Sequence, residues 1–255
     1  MSFAAIVATL RAAGCVFAED EARLLMSAAT SPADLAAMVD QRVTGTPLEY
    51  IVGWAEFCGL RIAVDSGVFV PRRRTEFMVQ LAASRISSRA VVVDMCCGSG
   101  AVGTALNALP GGVELYAVDI DPAAVACARR NVEPVGGHVF EGDLFEPLPS
   151  DLHGRVDIVV ANAPYVPTDA IALMPPEARL YEARVALDGG SDGLDIQRRV
   201  AADASRWLRP GGHLLIETSV RQAPLTAAAF AEAGLSAEVQ HSEELDGTVV
   251  IGTRR

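Results

Sequence analysis

The sequence contains no lysine, so its positive charge rests on arginine alone, and 21 basic residues face 32 acidic ones for a formal net charge of −11. Nucleic acid is gripped by clustered cations that neutralise phosphates. A chain this acidic is poorly supplied for that task, and direct nucleic-acid binding is not expected. The acid is unevenly spread: residues 1–75 carry seven Arg against eight Asp and Glu, so the surplus lies beyond residue 75. Only the N-terminal part offers a near-neutral face to a partner. No apolar run reaches the roughly 18 to 20 residues that span a bilayer, and Met1-Ser2-Phe3 lacks the basic-then-apolar opening of a secretory signal. The expectation is a cytoplasmic chain without a membrane partner. The five cysteines, at 15, 58, 96, 97 and 127, make no Cys-x-x-Cys pair and no zinc spacing, and an odd number suits no complete disulfide set. The histidines, at 138, 153, 213 and 241, are scattered singly. No metal site is expected.

What is present is enough apolar residue for one sizeable core and a smaller attached unit. From Phe3 to about Val43, Ala, Leu and Met recur at helical spacing, and Glu19-Asp20-Glu21 and Ser31-Pro32 read as helix starts. Gly45-Thr46-Pro47 breaks that pattern. Ala55 to Val70 then alternates apolar and polar residues around Gly59 and Gly67, as a hairpin would, with Trp54 and Phe57 packing the joint. After Arg89, short β-branched runs alternate with Ala-rich amphipathic segments: Val91–Met95, Leu115–Asp119, Val156–Ala161 and Leu214–Thr218 read as buried strands of a parallel, doubly wound sheet. Segments around Ala237–Gln240 and Thr248–Thr253 have no helix between them, which predicts an antiparallel pair at the sheet edge.

The strand Val91–Met95, which contains Asp94, runs into Cys96-Cys97-Gly98-Ser99-Gly100 and then an Ala-rich helix. Glycine there lets a ligand approach bare backbone at the carboxyl end of a strand, although a tight strand-to-helix turn would need the same residues. The next strand ends in Asp119-Ile120, about 20 residues on, where a carboxylate can accept both hydroxyls of a ribose. That spacing also suits NAD. Against NAD stand the missing third glycine and Gly142-Asp143-Leu144 after the third strand, where an adenine could lie. Asp121-Pro122 reads as an ordinary helix start.

Asn162-Ala163-Pro164-Tyr165, directly after Ile158–Ala161, is the most specific signal. An amide nitrogen is a poor nucleophile because its lone pair is delocalised into the carbonyl, so a site must orient it. The Asn162 side-chain oxygen and the Ala163 carbonyl can each take one N–H of a planar NH₂ group, and Tyr165 can stack on it. A turn that merely ends a strand is the plainer alternative. The segment Asp188–Asp195 carries glycines before an amphipathic helix, Ile196–Leu208, and reads as a turn and N-cap rather than paired catalytic carboxylates. Glu217 ends a buried strand near the expected cleft.

These residues resemble the HemK/PrmC family of protein-(glutamine-N5) methyltransferases, the release factor glutamine methyltransferases. The likeness runs through Gly45-Thr46-Pro47, Tyr50-Ile51-Val52-Gly53, Phe57-Cys58-Gly59-Leu60, Val68-Phe69-Val70-Pro71-Arg72, Thr75-Glu76, Asp143-Leu144-Phe145, Leu187-Asp188-Gly189-Gly190, Asp192-Gly193-Leu194 and Glu217 with Gln222. The resemblance implies an α/β fold: a seven-stranded class I methyltransferase (Rossmann-like) domain over 76–255, a helical substrate-recognition domain over 1–54 and a β-hairpin linker over 55–75. It implies S-adenosyl-L-methionine held by Asp94, Cys96, Cys97, Gly98, Ser99, Gly100, Asp119, Ile120, Asp143, Leu144, Asn162, Thr75 and Glu76. It implies that Asn162, Ala163, Pro164 and Tyr165 hold a glutamine of a peptide-chain release factor, in its Gly-Gly-Gln motif.

Three positions depart from the family pattern. Ala163 replaces the first proline of Asn-Pro-Pro-Tyr, Cys96 replaces the first glycine of the cofactor loop, and Arg73-Arg74 replace Pro-Glu before Thr75. The run Arg72–Arg74 reads either as a solvated loop or as a contact to an acidic partner or a nucleic-acid backbone. Two rival readings stay open: an amino-methyltransferase acting on adenine or a ribosomal component, because the Asn-x-Pro-Tyr site suits any planar NH₂, and a non-catalytic paralogue with impaired cofactor binding.

Overall fold

In a computed structural model, which describes residues 1–87 and 89–255, helices and strands follow one another as the apolar patterning requires. Four helices come first: α1 (Phe3–Ala12), α2 (Ala18–Ala28), α3 (Pro32–Val43) and the short α4 (Leu48–Val52). The acidic triad opens α2, where the exposed N–H groups of a helix favour negative charge, and Ser31 caps α3 by accepting from Asp34 N at 3.1 Å, ahead of Pro32. Ile6, Leu10, Ala22, Leu25 and Val39 close these helices over a core of their own.

A hairpin follows, β1 (Trp54–Phe57) against β2 (Leu60–Ala63), and it is shorter than the sequence suggested. Val64–Val70 pairs with no strand. Its alternation comes from an extended segment whose Val64 and Val70 face Ala55 and Tyr50 and whose Val68 faces Ala124 and Cys127. Phe57 is fully buried in the larger core, a gain of about 1.5–3 kcal/mol for such a side chain, while Trp54 lies half-buried beneath the Arg61 guanidinium.

The remainder is one seven-stranded sheet with helices on both faces. In chain order it contains α5 (Glu76–Ala83), β3 (Val91–Met95), α6 (Ala101–Asn107), β4 (Glu114–Asp119), α7 (Pro122–Val132), β5 (His138–Glu141), β6 (Val156–Ala161) and α8 (Pro176–Tyr181). It ends with α9 (Asp195–Trp207), β7 (Leu208–Thr218), α10 (Ala223–Glu232), β8 (Leu235–Ser242) and β9 (Gly247–Arg254). The strand order is β5-β4-β3-β6-β7-β9-β8, parallel through β7 and antiparallel for β7–β9 and β9–β8, as the missing crossover helix foretold. Successive side chains of a strand point to opposite faces: Val91, Val93 and Met95 enter one core and Val92 the other. Strands covered on both sides read as unbroken apolar runs for this reason. No helix among the described residues is long and apolar enough to cross a membrane.

The topology decides where a ligand can go. From β3 the chain moves outward to β4 and β5, then returns to place β6 on the other side of β3. Loops leaving β3 and β6 therefore part in opposite directions and open a crevice at the carboxyl ends of the strands.

The helical part is tied to this sheet at two places. Tyr50 Oη donates to the Val68 carbonyl at 2.7 Å, and Arg42 bridges Glu21 at 2.6 Å and Glu177 at the start of α8 at 2.5 Å.

Candidate active site

The crevice is a cavity of about 500 Å³ above β3, β4, β5 and β6. Thr75, Asp94, Cys96, Cys97, Gly98, Ser99, Asp119, Ile120, Asp143, Leu144, Asn162 and Pro164 all line it. Four other residues expected at the site do not. Glu76 follows Thr75 in helical backbone, so its side chain points about 100° further round, and its carboxylate accepts from Cys58 N at 3.1 Å instead. Gly100 caps α6 at φ +74°, where a Cβ would meet Val132 Cγ2 at 2.6 Å, so it serves the packing of α6 on α7. Ala163 and Tyr165 line a smaller hollow that opens beside the first and shares Asn162, Pro164, Phe69 and Ala186 with it.

The floor is shaped by backbone that only glycine adopts easily. Gly98 is at φ +56°, and a Cβ there would find only the Phe69 Cβ, at 4.0 Å, so bare backbone faces open cleft. Cys96 is also left-handed, at φ +56°, and so is Leu144 at φ +52°. A side chain in that region carries strain, and both strained residues face the cavity, where such strain concentrates. Cys96 thus occupies a glycine position in conformation as well as in sequence.

Two carboxylates flank this floor. Asp119, at the end of β4, accepts from Gly98 N at 2.8 Å and from Asp121 N at 2.9 Å, which fixes the plane of its carboxylate, while burial raises its pKa. Asp94 accepts from Gly103 N at 2.8 Å, and burial, with the nearby Asp119 charge adding to it, lifts its pKa to about 7. Burial also pushes the Cys96 thiol well above its ordinary range, so it remains a neutral wall and not a nucleophile. Asp121 caps α7 through Ala123 N at 2.9 Å, the helix-start role expected of it.

The Asn162–Tyr165 segment is held from behind. Gln222 Nε2 donates to the carbonyls of Tyr165 at 2.9 Å and Asp192 at 3.0 Å, and Gly189 N donates to Val166 O at 2.9 Å. A Cβ at Gly193 would come within 2.3 Å of Tyr165 O, and one at Gly189 within 2.6 Å of Pro164 O. The glycines of Asp188–Asp195 are there so that this loop can lie on the 164–165 backbone. The loop is a turn, as expected, but Leu194 sits at the N-cap position of α9, with no side-chain cap. Asn162 Nδ2 donates to Thr75 Oγ1 at 3.4 Å, whereas neither Asn162 Oδ1 nor the Ala163 carbonyl meets a donor among the described residues.

Arg72 and Arg74 are neither solvated nor left for a partner. Arg72 pairs with Glu182, and Arg74 Nε reaches Glu217 Oε1 at 3.2 Å. Both carboxylate side chains are 1% exposed. Tyr165 Oη donates to Glu217 at 3.4 Å, and burial raises its pKa to about 12. Sequence reasoning gave no role to Phe69, Val185, Ile196 or Arg199, which also line the cavity. Only Phe69 left a trace, inside the Val68–Arg72 signature.

Residues 59–191 match the family described as "Methyltransferase small domain". The chain is 42% identical over 209 residues to the release factor glutamine methyltransferase of Geobacter sulfurreducens, covering 80% of this chain and 72% of that one. With the release factor glutamine methyltransferase of Mycolicibacterium smegmatis it shares 36% identity over 233 residues, covering 89% and 82%. A solved methyltransferase from Pyrococcus furiosus superposes with a TM-score of 0.57 at 15% identity, covering 77% of this chain and 89% of that one. Ribosomal protein L11 methylase from Lactobacillus delbrueckii subsp. bulgaricus gives 0.53 at 18% identity, covering 76% and 85%. At such identities the structural likeness concerns the fold alone.

Proposed function

Because the chain belongs to the release factor glutamine methyltransferase family, we propose that it moves a methyl group from S-adenosylmethionine to the side-chain amide nitrogen of a protein glutamine, in the Gly-Gly-Gln motif of a peptide-chain release factor. The observation that carries this reading is the meeting of two hollows at Asn162 and Pro164, where two oxygens without donors face a second, smaller space.

The larger hollow suits the methyl donor. Its volume falls in the range of about 300–1,000 Å³ usual for small-molecule sites. The fixed carboxylate of Asp119 offers acceptors to a ribose diol, Leu144 offers apolar surface to adenine, and the Cys96–Ser99 backbone borders the methionine portion with Asp94 and Thr75. When bound, the sulfonium supplies an electrophilic methyl carbon.

The chain's own residues do the rest. Asn162 Oδ1 and the Ala163 carbonyl accept the two N–H bonds of the glutamine amide, which sets its plane and turns the nitrogen lone pair toward the larger hollow. The same two oxygens offset the positive charge that grows on nitrogen during transfer, an arrangement that mutagenesis elsewhere rates at roughly 10²–10³ in rate per contact. Tyr165, held by Glu217, walls the smaller hollow. Phe69, Val185 and Ile196 keep water from the line of transfer. No base of tuned pKa is needed, since the extra proton departs to water afterwards. The near-neutral helical part, over residues 1–54, is assigned the work of recognising the protein substrate.

The test is mass spectrometry of a release factor after incubation with the enzyme and methyl-labelled S-adenosylmethionine, run beside total RNA and DNA. One added methyl on the Gly-Gly-Gln glutamine is the expected result. Label confined to nucleic acid would sink the reading.

A further inference from the structure

An asparagine amide has two ends of nearly equal size, and only one of them can hold an acceptor NH₂ group. If Asn162 turned its own NH₂ outward, two sets of donors would face each other and the proposed grip would fail. Something must settle which end faces out.

The side chains behind Asn162 form a chain of donors and acceptors that does so. Asn162 Nδ2 lies 3.4 Å from Thr75 Oγ1, and Thr75 is almost wholly buried at the start of α5. Behind it stands Glu217, near the end of β7. Its Oε1 accepts from Arg74 Nε at 3.2 Å and from Tyr165 Oη at 3.4 Å, while its Oε2 has no hydrogen-bond partner among the described residues. The Thr75 hydroxyl faces this carboxylate and favours its charged form. A hydroxyl has one hydrogen to give, and an ionised carboxylate can only accept. If Thr75 gives that hydrogen to Glu217, only lone pairs remain toward Asn162, and only an NH₂ group can lie against them.

We propose that Glu217 is a positioning residue: by claiming the Thr75 hydroxyl hydrogen it obliges Asn162 to turn its NH₂ inward and its Oδ1 toward the acceptor. This rests on the glutamine reading given above. Arg74 and Tyr165 complete the device, since they hold one carboxylate oxygen and leave the other for Thr75. A buried carboxylate without such partners would take up a proton.

Glu217→Gln keeps the shape but can donate to Thr75, which frees the hydroxyl hydrogen to point at Asn162 and lets the amide reverse. The expected result is a fall in kcat of at least tenfold on a Gly-Gly-Gln release factor, with the calorimetric affinity for S-adenosylmethionine within about twofold of wild type. Thr75→Val should lose a similar factor, Thr75→Ser should recover most of it, and Glu217→Gln combined with Thr75→Val should be no slower than Thr75→Val alone.

Protonation of Glu217 would mimic the Gln variant. Burial raises its pKa, opposed by Thr75, Arg74 and Tyr165, so wild-type kcat should be full where Glu217 is ionised and fall toward acid pH, and Glu217→Gln should lack that acid limb. Melting temperature and cofactor affinity report whether each variant is folded. Should Glu217→Gln fail to fold, the Thr75 pair decides, because equal kcat for Thr75→Val and Thr75→Ser overturns the proposal. A wild-type enzyme active on glutamine beside an equally active, folded Glu217→Gln overturns it too and leaves the function standing. A wild type inactive on glutamine defeats the function itself.

Discussion

Replacing Cys96 with glycine and, separately, with alanine isolates the strain beneath the cleft. At φ +56° an L-residue pays roughly 1–2 kcal/mol that glycine does not. Alanine keeps the Cβ and therefore the strain. Glycine removes it but makes the unfolded chain freer, which favours unfolding by about 0.4–1 kcal/mol. Both variants lose the sulfur that packs against the core beside β3, so that loss cancels in the comparison. The glycine variant should then be the more stable of the two by about 1 kcal/mol, or roughly 2–4 °C in Tm for a chain of this size. Elsewhere in a fold the order is commonly the reverse, which makes the sign diagnostic. The assay is urea unfolding at equal slope together with thermal melting. An alanine variant as stable as the glycine variant would refute the claim that position 96 holds strained backbone.

Other consequences follow from the same geometry. Asn162→Ala should reduce kcat by about 10²–10³ while leaving the calorimetric affinity for S-adenosylmethionine nearly intact, and full turnover would remove Asn162 from the mechanism. Asp94 is lifted to about 7 by burial, so a cationic methyl donor beside it should favour the ionised form. Affinity should therefore rise with pH from about 5.5 to 7, by at most about tenfold per unit for one coupled proton, and Asp94→Asn should flatten the profile. Without ligand the sign is opposite: the raised pKa means the fold holds a proton that the unfolded chain releases, so Asp94 costs stability as pH climbs from its unfolded value toward 7. Arg42→Ala would leave Glu21 buried and unpaired and should lower stability by about 3–5 kcal/mol. Glu177→Ala, whose carboxylate is 51% exposed, should cost about 1 kcal/mol or less; equal losses in denaturant titrations would contradict this division.

The strands above which the cleft opens were legible because burial on both faces forces runs such as Val91–Met95 and Val156–Ala161, and no other local structure needs them. The edge pair β8–β9 was legible from the missing crossover. Val64–Val70 misled because extended chain alternates inward and outward whether or not it pairs with a neighbour. Glu76 misled because adjacency along a helix is not adjacency in space. Arg72 and Arg74 could not be read at all: their partners Glu182 and Glu217 lie more than 100 residues away, and no local pattern encodes a charge pair of that separation. The strain at Cys96 was visible only as a question, since sequence shows the absent glycine and not the sign of φ.

The account's central claim is that one flat amide is gripped by two oxygens beside the methyl donor, and a crystal structure with S-adenosylhomocysteine and a Gly-Gly-Gln peptide tests it most directly. The glutamine Nε2 should lie within about 2.7–3.2 Å of both Asn162 Oδ1 and the Ala163 carbonyl oxygen, between them and the sulfur. A peptide glutamine bound elsewhere, or an Asn162 that presents its NH₂ to the ligand, would contradict it.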